Sequence, residues 1–393
     1  MTSKLRRWFP LVVPVATTLY CLVCMSVCSL SSSFVAQNRF VRMSSSFSFV
    51  DIGANLLDDR YNGEYYGKVR HKPDITRVLQ RASQYHVKHV IVTAGTLRES
   101  RRALSMVRDY NQQRRNHDTD IPSLPHLSCT IGIHPTRCQQ EFIDNLSSRK
   151  EQDTSTNSDA CNTDEDVLQE LLALAVDGQQ DGSVVAIGEI GLDYDRLEFC
   201  SKEVQQHYLK RQLQVLQATQ LPLFLHNRNC SSDLYDILES SIDRPWRGVV
   251  HSFDDTIELA RKFMNKGLYI GLNGCSLKTT DNLRTVAQLP LDKILLETDS
   301  PYCEVRKTHA GYPYLEQADR QLKEETNKDE ELPIFFEAKA DKKYEEGKCV
   351  KGRQEPCHIV QVARIVAACR KESLGDLAEA VYKNSLQLYG WDS

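Results

Sequence analysis

The 393-residue chain has no acidic residue before Asp51, and beyond residue 43 it has no CxxC pair. Three of its 13 cysteines (Cys21, Cys24 and Cys28) fall in the N-terminal segment, and the rest are irregularly spaced, as in Leu127-Ser-Cys129. An odd, irregular set excludes a disulfide framework and predicts reduced thiols in a compartment that is not oxidising, such as cytosol or stroma. Surplus basic charge is also missing. Five of the basic residues (Lys4, Arg6, Arg7, Arg39, Arg42) precede Asp51; without them the body keeps Lys+Arg 44 against Asp+Glu 53, about −9. Such a body cannot bind nucleic acid through a broad basic surface, because phosphate contacts need Lys and Arg. If it acts on a polyanion, bound cations and a local patch must do the attracting. Disordered, collagen-like and coiled-coil chains are excluded as well, since 41% apolar and 26% charged residues with 18 Gly and 13 Pro are ordinary globular values. The length admits two or three domains, or one α/β barrel with insertions.

Residues 1–48 read as a targeting leader that is removed. Lys4, Arg6 and Arg7 precede an apolar run from Trp8 to Leu30, then Ser31-Ser32-Ser33. The run is long enough to span a bilayer, but Pro10, Pro14 and small polar residues favour a cleavable signal. After Phe34 comes a Ser-rich, Arg-containing, acid-free stretch to Val50. Together the two parts resemble leaders of plastids surrounded by extra membranes and suggest an organelle (plastid) or secretory entry. The alternative is translation from Met43, which gives a cytoplasmic or nuclear protein beginning MSSSFSFVDIG.

From residue 49 one pattern repeats. Short apolar, β-branched runs end in polar residues, and a helical stretch follows each. The runs are Phe49–Asn55, His89–Ala94, Leu127–His134, Val184–Tyr194, Pro222–Asn227, Gly248–Phe253, Leu268–Asn273 and Ile294–Tyr302. Between them apolar residues recur at helical spacing, as in Ile75, Val78, Leu79 and Ala82 behind Pro73-Asp74. Strands apolar on both faces and alternating with helices predict a parallel sheet, and eight such units predict a (β/α)8 TIM barrel over 49–393. A doubly wound sheet would carry fewer strands and a Gly-rich first turn, which DIGANL (51–56) lacks.

Two stretches break the rhythm. Residues 145–166 are polar and low in complexity and read as a disordered insertion before a short helix, Val167–Ala175. Residues 316–355 are dense in charge and follow the eighth strand, where they form either a lid at the barrel's mouth or a solvated insertion with no role. Two closing helices are expected from His358 and from Leu374, the latter behind Ser373 with Asp376 at capping-box spacing.

The chemistry stands at the strand ends. Strand one ends in Asp51-Ile-Gly-Ala-Asn55, strand three in Ile-Gly-Ile-His134-Pro and strand four in Gly-Glu189-Ile-Gly-Leu-Asp193-Tyr. Strand five ends in Leu-His226-Asn-Arg228, strand six in Val-Val-His251-Ser-Phe and strand eight in Leu-Leu-Glu297-Thr-Asp299-Ser-Pro. In a barrel these positions converge on one mouth. Histidines and carboxylates together match a divalent metal site, with imidazole favouring Zn or Mn and carboxylate oxygens admitting Mg or Mn. Each member alone has a plainer reading: a hydrogen-bonded core histidine, a solvated acid, Asp299 as a helix cap, Asp51 as a brace of a turn or of the barrel's bottom. Their coincidence on so many strand ends favours the constellation.

With these motifs the sequence resembles the TatD-type metal-dependent deoxyribonucleases of the amidohydrolase superfamily. The resemblance covers about Phe49 to Leu388. It rests on DIGANL, GIHP (132–135), GEIGLDY (188–194), LHNR (225–228), HSF (251–253), YIGLNGCSLK (269–278) and LLETDSPY (295–302). THAGYPY (308–314) and EPCHIVQV (355–362) are similar to the eukaryotic branch. The resemblance implies two divalent ions (Mg²⁺, Mn²⁺ or Zn²⁺), with Glu189 bridging them. His226 and His251 would hold one; Asp299 would bind the other and orient or deprotonate the attacking water. His134 and Arg228 would face the scissile phosphate. Many superfamily members carry an H-x-H pair on strand one, where this chain has Gly53 and Asn55, as the TatD branch does. The Asp299-side ion would then be completed by Asn55 and water and be weakly held.

The activity so implied is 3′-5′ exonucleolytic hydrolysis of single-stranded or frayed DNA by a monomer with no membrane association. Two ions about 3.5–4 Å apart stabilise both the attacking and the leaving oxygen of a phosphodiester. The alternatives are a hydrolase of another ester or amide, such as an aminoacyl-tRNA deacylase, and a non-catalytic scaffold. Glu189 in place of a carbamylated lysine speaks against the first, and the presence of Glu189, His226, His251 and Asp299 against the second.

Overall fold

The computed structural model describes residues 47–116, 124–145, 163–325 and 333–392. The leader and most of the low-complexity insertion lie outside the described residues. Eight parallel strands follow one another around a single sheet. They are β1 (Phe49–Ala54), β2 (Val87–Val92), β3 (His126–Ile131), β4 (Val184–Asp193), β5 (Leu223–Arg228), β6 (Gly248–Val250), β7 (Tyr269–Leu272) and β8 (Ile294–Leu296). A parallel bridge between Ala54 and Ser300 joins the last strand's continuation to the first, with Asn55 N–H donating to the Ser300 carbonyl at 2.6 Å. Helices alternate with the strands: α1 (Ile75–Gln84), α2 (Leu97–Asn116), α3 (Asp164–Gln180), α4 (Lys202–Leu216), α5 (Ser231–Ser241), α6 (Ile257–Asn265), α7 (Thr280–Gln288), α8 (Tyr312–Glu325), α9 (Ile359–Arg370) and α10 (Leu374–Tyr389). This is the expected TIM barrel. No helix among the described residues is long and apolar enough to cross a membrane.

Alternation along the strands sorts two apolar sets. One side of the strands, with residues such as Val90, Leu127 and Leu225, packs against the helices. The other side fills the barrel with Val50, Ile52, Ile91, Val185, Phe224, Val249 and Leu295, which cluster with Leu388 and Tyr389 from the end of α10. The interior is therefore a packed core, and the strands' carboxyl ends are left to carry chemistry.

Three local outcomes differ from the sequence reading. Helix α3 begins at Asp164 rather than Val167 and runs to Gln180. Thr163 caps it reciprocally with Asp166, and Asp164, Glu165 and Asp166 form its first turn, where carboxylates favour the exposed amides. Read by composition, those acids looked like the tail of the insertion. Asp74 precedes α1 as expected but makes no side-chain cap, because Arg353 holds its carboxylate at 2.6 and 2.8 Å. The charge-dense segment after β8 is largely built structure: α8, a short parallel pair of Ala338–Lys339 with Cys349–Val350, and a fully buried Arg353.

At the opposite end from the strand termini just described, His89 stacks on Trp391 (4.4 Å, 14°) beside His126. Burial pushes the His89 imidazole down to about 4 and lowers His126 as well. A base whose folded pKa is depressed contributes stability above its unfolded value near 6.5 and loses it as pH falls toward 4. Thermal unfolding at pH 7 and pH 5 is expected to show a loss on the order of 2 kcal/mol, reduced in His89→Phe. An unchanged pH dependence in that variant would remove His89 as the cause.

Candidate active site

The strand ends meet in a cavity of about 420 Å³ lined by Asn55, His134, Glu189, His226, His251 and Asp299, with Arg228 also on its wall. The structure thus brings together every site residue named from the sequence. Glu189 lies at the centre. Its Oε1 is 2.6 Å from His226 Nδ1, 2.8 Å from His251 Nε2 and 3.5 Å from His134 Nε2. His226 Nδ1 and His251 Nε2 are 3.2 Å apart.

The far nitrogens of both rings also face carboxylates. His226 Nε2 faces Asp193 Oδ2 at 3.2 Å, and His251 Nδ1 faces Glu297 Oε2 at 3.5 Å. A neutral ring that donates to its outer carboxylate turns its lone pair inward, the arrangement by which carboxylates orient metal-binding histidines. Two lone pairs and an ionised carboxylate oxygen would then point at one another. Repulsion is relieved by a shared proton or by a cation, and this donor set fits a divalent ion. Donor atoms of Glu189, His226 and His251 lie within 4.8 Å of one another, as do those of His134, Asp193 and His226. Burial alone would raise Glu189, but the charge on His251 and hydrogen bonds from His226 and His251 hold it well below the ordinary carboxylate range. Against burial, Asp193 and Glu189 raise His226, and Glu189 and Glu297 raise His251.

His134 differs from the other two. Its Nδ1 accepts from the Thr136 N–H at 3.2 Å, and burial pushes its pKa down to about 3. The ring is neutral and presents Nε2–H to the mouth. Asp299 sits just past β8 with φ 51°, a left-handed conformation uncommon for a non-glycine residue and a mark of a position held by its surroundings. Its N–H donates to the Gly53 carbonyl at 2.8 Å. Asp51 accepts from Thr298 N–H (2.9 Å) and Thr298 Oγ1 (2.6 Å), so it braces the top of β1 against the Asp299 loop rather than the barrel's bottom. Asn55 donates from Nδ2 to Asp299 Oδ1 at 2.9 Å and accepts at Oδ1 from Thr93 at 2.8 Å. Both ends of its amide are engaged, and the end beside Asp299 is a donor.

A match to the family model of TatD related DNase spans residues 50–390 of the chain. The chain belongs to the TatD family of deoxyribonucleases. It is 38% identical over 344 residues to Deoxyribonuclease Tat-D of Schizosaccharomyces pombe, covering 87% of this chain and 96% of that one. Its fold is similar to the crystal structure of a TatD family hydrolase from Entamoeba histolytica, with TM-score 0.70 and 34% identity over 88% of this chain and 99% of that chain. It is also 29% identical over 257 residues (64% of this chain, 78% of that one) to a protein of Cronobacter sakazakii named 3′-5′ ssDNA/RNA exonuclease TatD. The protein is accordingly a hydrolase acting on phosphodiester bonds, with nucleic acid as substrate.

In this TatD deoxyribonuclease the strand-one position Gly53 has no room for a side chain. A Cβ there would stand 2.8 Å from Phe224 Cζ and 2.9 Å from Glu297 Oε2. The space is filled by the Phe224 ring and by Glu297, whose Oε2 faces His251 Nδ1 at 3.5 Å. Asp193 and Glu297 were visible as acids at strand ends, but nothing in the sequence said that they sit behind histidines. The rim carries Arg137, Arg196, Arg228 and Lys278, the local patch that an acidic body requires. Arg228 is partly engaged, its Nε donating to Asp195 at 3.1 Å. A second cavity of about 730 Å³, lined by Arg98, Arg101 and Arg102 and by Asp58, Asp59 and Glu141, shares Glu99, Arg137 and Tyr302 with the first.

Proposed function

We propose that this protein trims single-stranded or frayed DNA from the 3′ end, hydrolysing each phosphodiester with water activated by divalent cations. The observation that carries the reading is the convergence of His226 Nδ1 and His251 Nε2 on Glu189 Oε1, at 2.6 and 2.8 Å, in the same cavity as Asp299. Glu189, His226 and His251 would hold one ion, and Asp299 with Glu189 a second; Mg²⁺, Mn²⁺ and Zn²⁺ all suit parts of this donor set. When bound, such ions lower the pKa of water and offset charge on the phosphate. Asp299 orients the attacking water and takes its proton, while Asn55 Nδ2–H holds the Asp299 carboxylate in place. His134 Nε2–H donates to a phosphate oxygen, and Arg228 neutralises phosphate charge. Every group comes from one chain, so a monomer suffices.

The dimensions favour an end over a long duplex. The mouth admits a few nucleotides beside Tyr302, whose 48% exposure leaves a face for a base to stack on. A 5′-labelled single strand incubated with Mg²⁺ or Mn²⁺ is expected to shorten one nucleotide at a time from its 3′ end. A blunt duplex should be cut at least about tenfold more slowly, since fraying precedes each cut, and aminoacyl-tRNA should remain charged. Internal cuts, or full activity after chelation, would overturn the reading.

A further inference from the structure

We propose that Cys349, Cys357 and His358 form a separate site for Zn²⁺ or another thiophilic divalent ion, fastening the segment after β8 to the flank of the barrel. The three are buried, and one donor atom from each lies within 4.8 Å of the others. Cys349 is on the short strand paired with Ala338–Lys339, whereas Cys357 and His358 are in the 3₁₀ turn that opens α9. Cys357 Sγ is 3.9 Å from His358 Nδ1. None of the three lines the mouth cavity, so this site is distinct from the one above.

Ligand chemistry and charge balance agree. Two thiolates and an imidazole are the donors zinc prefers, and tetrahedral zinc needs one more ligand. Cys349 and His358 also line a cavity of about 330 Å³, which leaves room for water or an exogenous donor as the fourth. Glu355 is not that ligand: its Oε2 stands 4.0 Å from Cys357 Sγ and is taken by Arg81 at 2.8 Å. His358 Nδ1 accepts from the Glu355 N–H at 2.9 Å and lies 3.2 Å from the Glu355 carbonyl, so ligation through Nε2 would require the ring proton to move to Nδ1, toward that carbonyl. Around the cluster Arg81 and Arg353 are matched by Asp74 and Glu355. A lone thiolate would add an uncompensated buried charge, whereas a divalent ion with two thiolates adds none. Binding releases the two thiol protons.

The site would brace the mouth from behind. The same segment donates from Gln354 N–H to the Pro301 carbonyl at 3.2 Å, one residue from Tyr302. It also packs Phe336 against both Tyr85 and His358 in tilted contacts, ring centroids 4.7 and 4.2 Å apart.

The test uses the full chain, reduced, stripped of metal and titrated with Co²⁺. One equivalent is expected to give thiolate-to-cobalt charge-transfer absorption. That absorption should vanish in Cys349→Ser and Cys357→Ser but persist in His226→Ala and in a Cys275→Ser/Cys303→Ser double variant. A measurement on the unaltered chain guards against misfolded variants: Zn²⁺ should protect Cys349 and Cys357 from alkylation at least tenfold, read by peptide mass spectrometry. Absence of the cobalt band in folded protein, its survival in both single variants, or alkylation indifferent to Zn²⁺ would overturn the proposal. So would a mass two hydrogens low with Cys349 cross-linked to Cys357 in metal-replete protein. Because the readouts are spectroscopic and chemical, they stand or fall apart from nuclease activity.

Discussion

Glu189→Gln is expected to lower kcat for cleavage of single-stranded DNA by about a thousandfold or more, roughly 4 kcal/mol of transition-state stabilisation, in a protein that still folds. The amide keeps the side chain's shape but removes the charge toward which His226 and His251 turn, at 2.6 and 2.8 Å. Its NH₂ group can also place a donor where a cation is needed. The same loss is expected in His226→Ala and Asp299→Ala, and the double variant Glu189→Gln/His226→Ala should be little worse than either single, because residues acting on one centre are not additive. Asp193→Asn separates orientation from ligation. It leaves the inner donors intact and should weaken metal binding by about 10–100-fold, so activity returns when the metal concentration is raised. Single-turnover cleavage beside metal content by mass spectrometry checks all five variants. A Glu189→Gln protein within tenfold of the unaltered rate would remove Glu189 from the centre and return the site to an open question.

The second large effect is on stability. Arg353→Met should cost about 3–5 kcal/mol, read as a fall in the urea midpoint at unchanged slope. The Arg353 side chain is fully buried and donates to Asp74 at 2.6 and 2.8 Å, to Glu355 at 2.9 Å and to the Arg60 carbonyl at 3.0 Å. Methionine fills most of the volume but leaves two carboxylates inside the protein with only Arg81 to share, at 2.8 Å from Glu355 and 3.9 Å from Asp74. The cost is thus mainly that of stranded charge rather than of a cavity. Removing the second charge as well, in Arg353→Met/Asp74→Asn, should recover part of the loss. A fall below about 1 kcal/mol would mean that water reaches the cluster on loss of the guanidinium.

Much of the barrel could be read from order and periodicity alone. The eight β-branched runs fall on the eight strands within a few residues, because a strand buried on both faces has few ways to be written. Strand β6 stops at Val250, and His251, whose N–H still donates to the Leu225 carbonyl at 3.0 Å, turns its side chain into the mouth. The candidate ligands Glu189, His226, His251 and Asp299 were legible for the same reason, since parallel strands place every carboxyl end on one face.

What the sequence by itself determined was the set of elements, their parallel order and the kind of atoms delivered to the mouth. These follow from local composition and from the handedness and spacing rules of βα units. Which acid stands behind which histidine, that Asn55 turns its NH₂ to Asp299, that Gly53 is closed off by Phe224 and Glu297, and that Arg353 and Cys349 reach partners on the barrel's flank were decided only by tertiary structure. Those facts depend on ångström-scale separations between residues tens to hundreds of positions apart, and neither periodicity nor composition carries that distance.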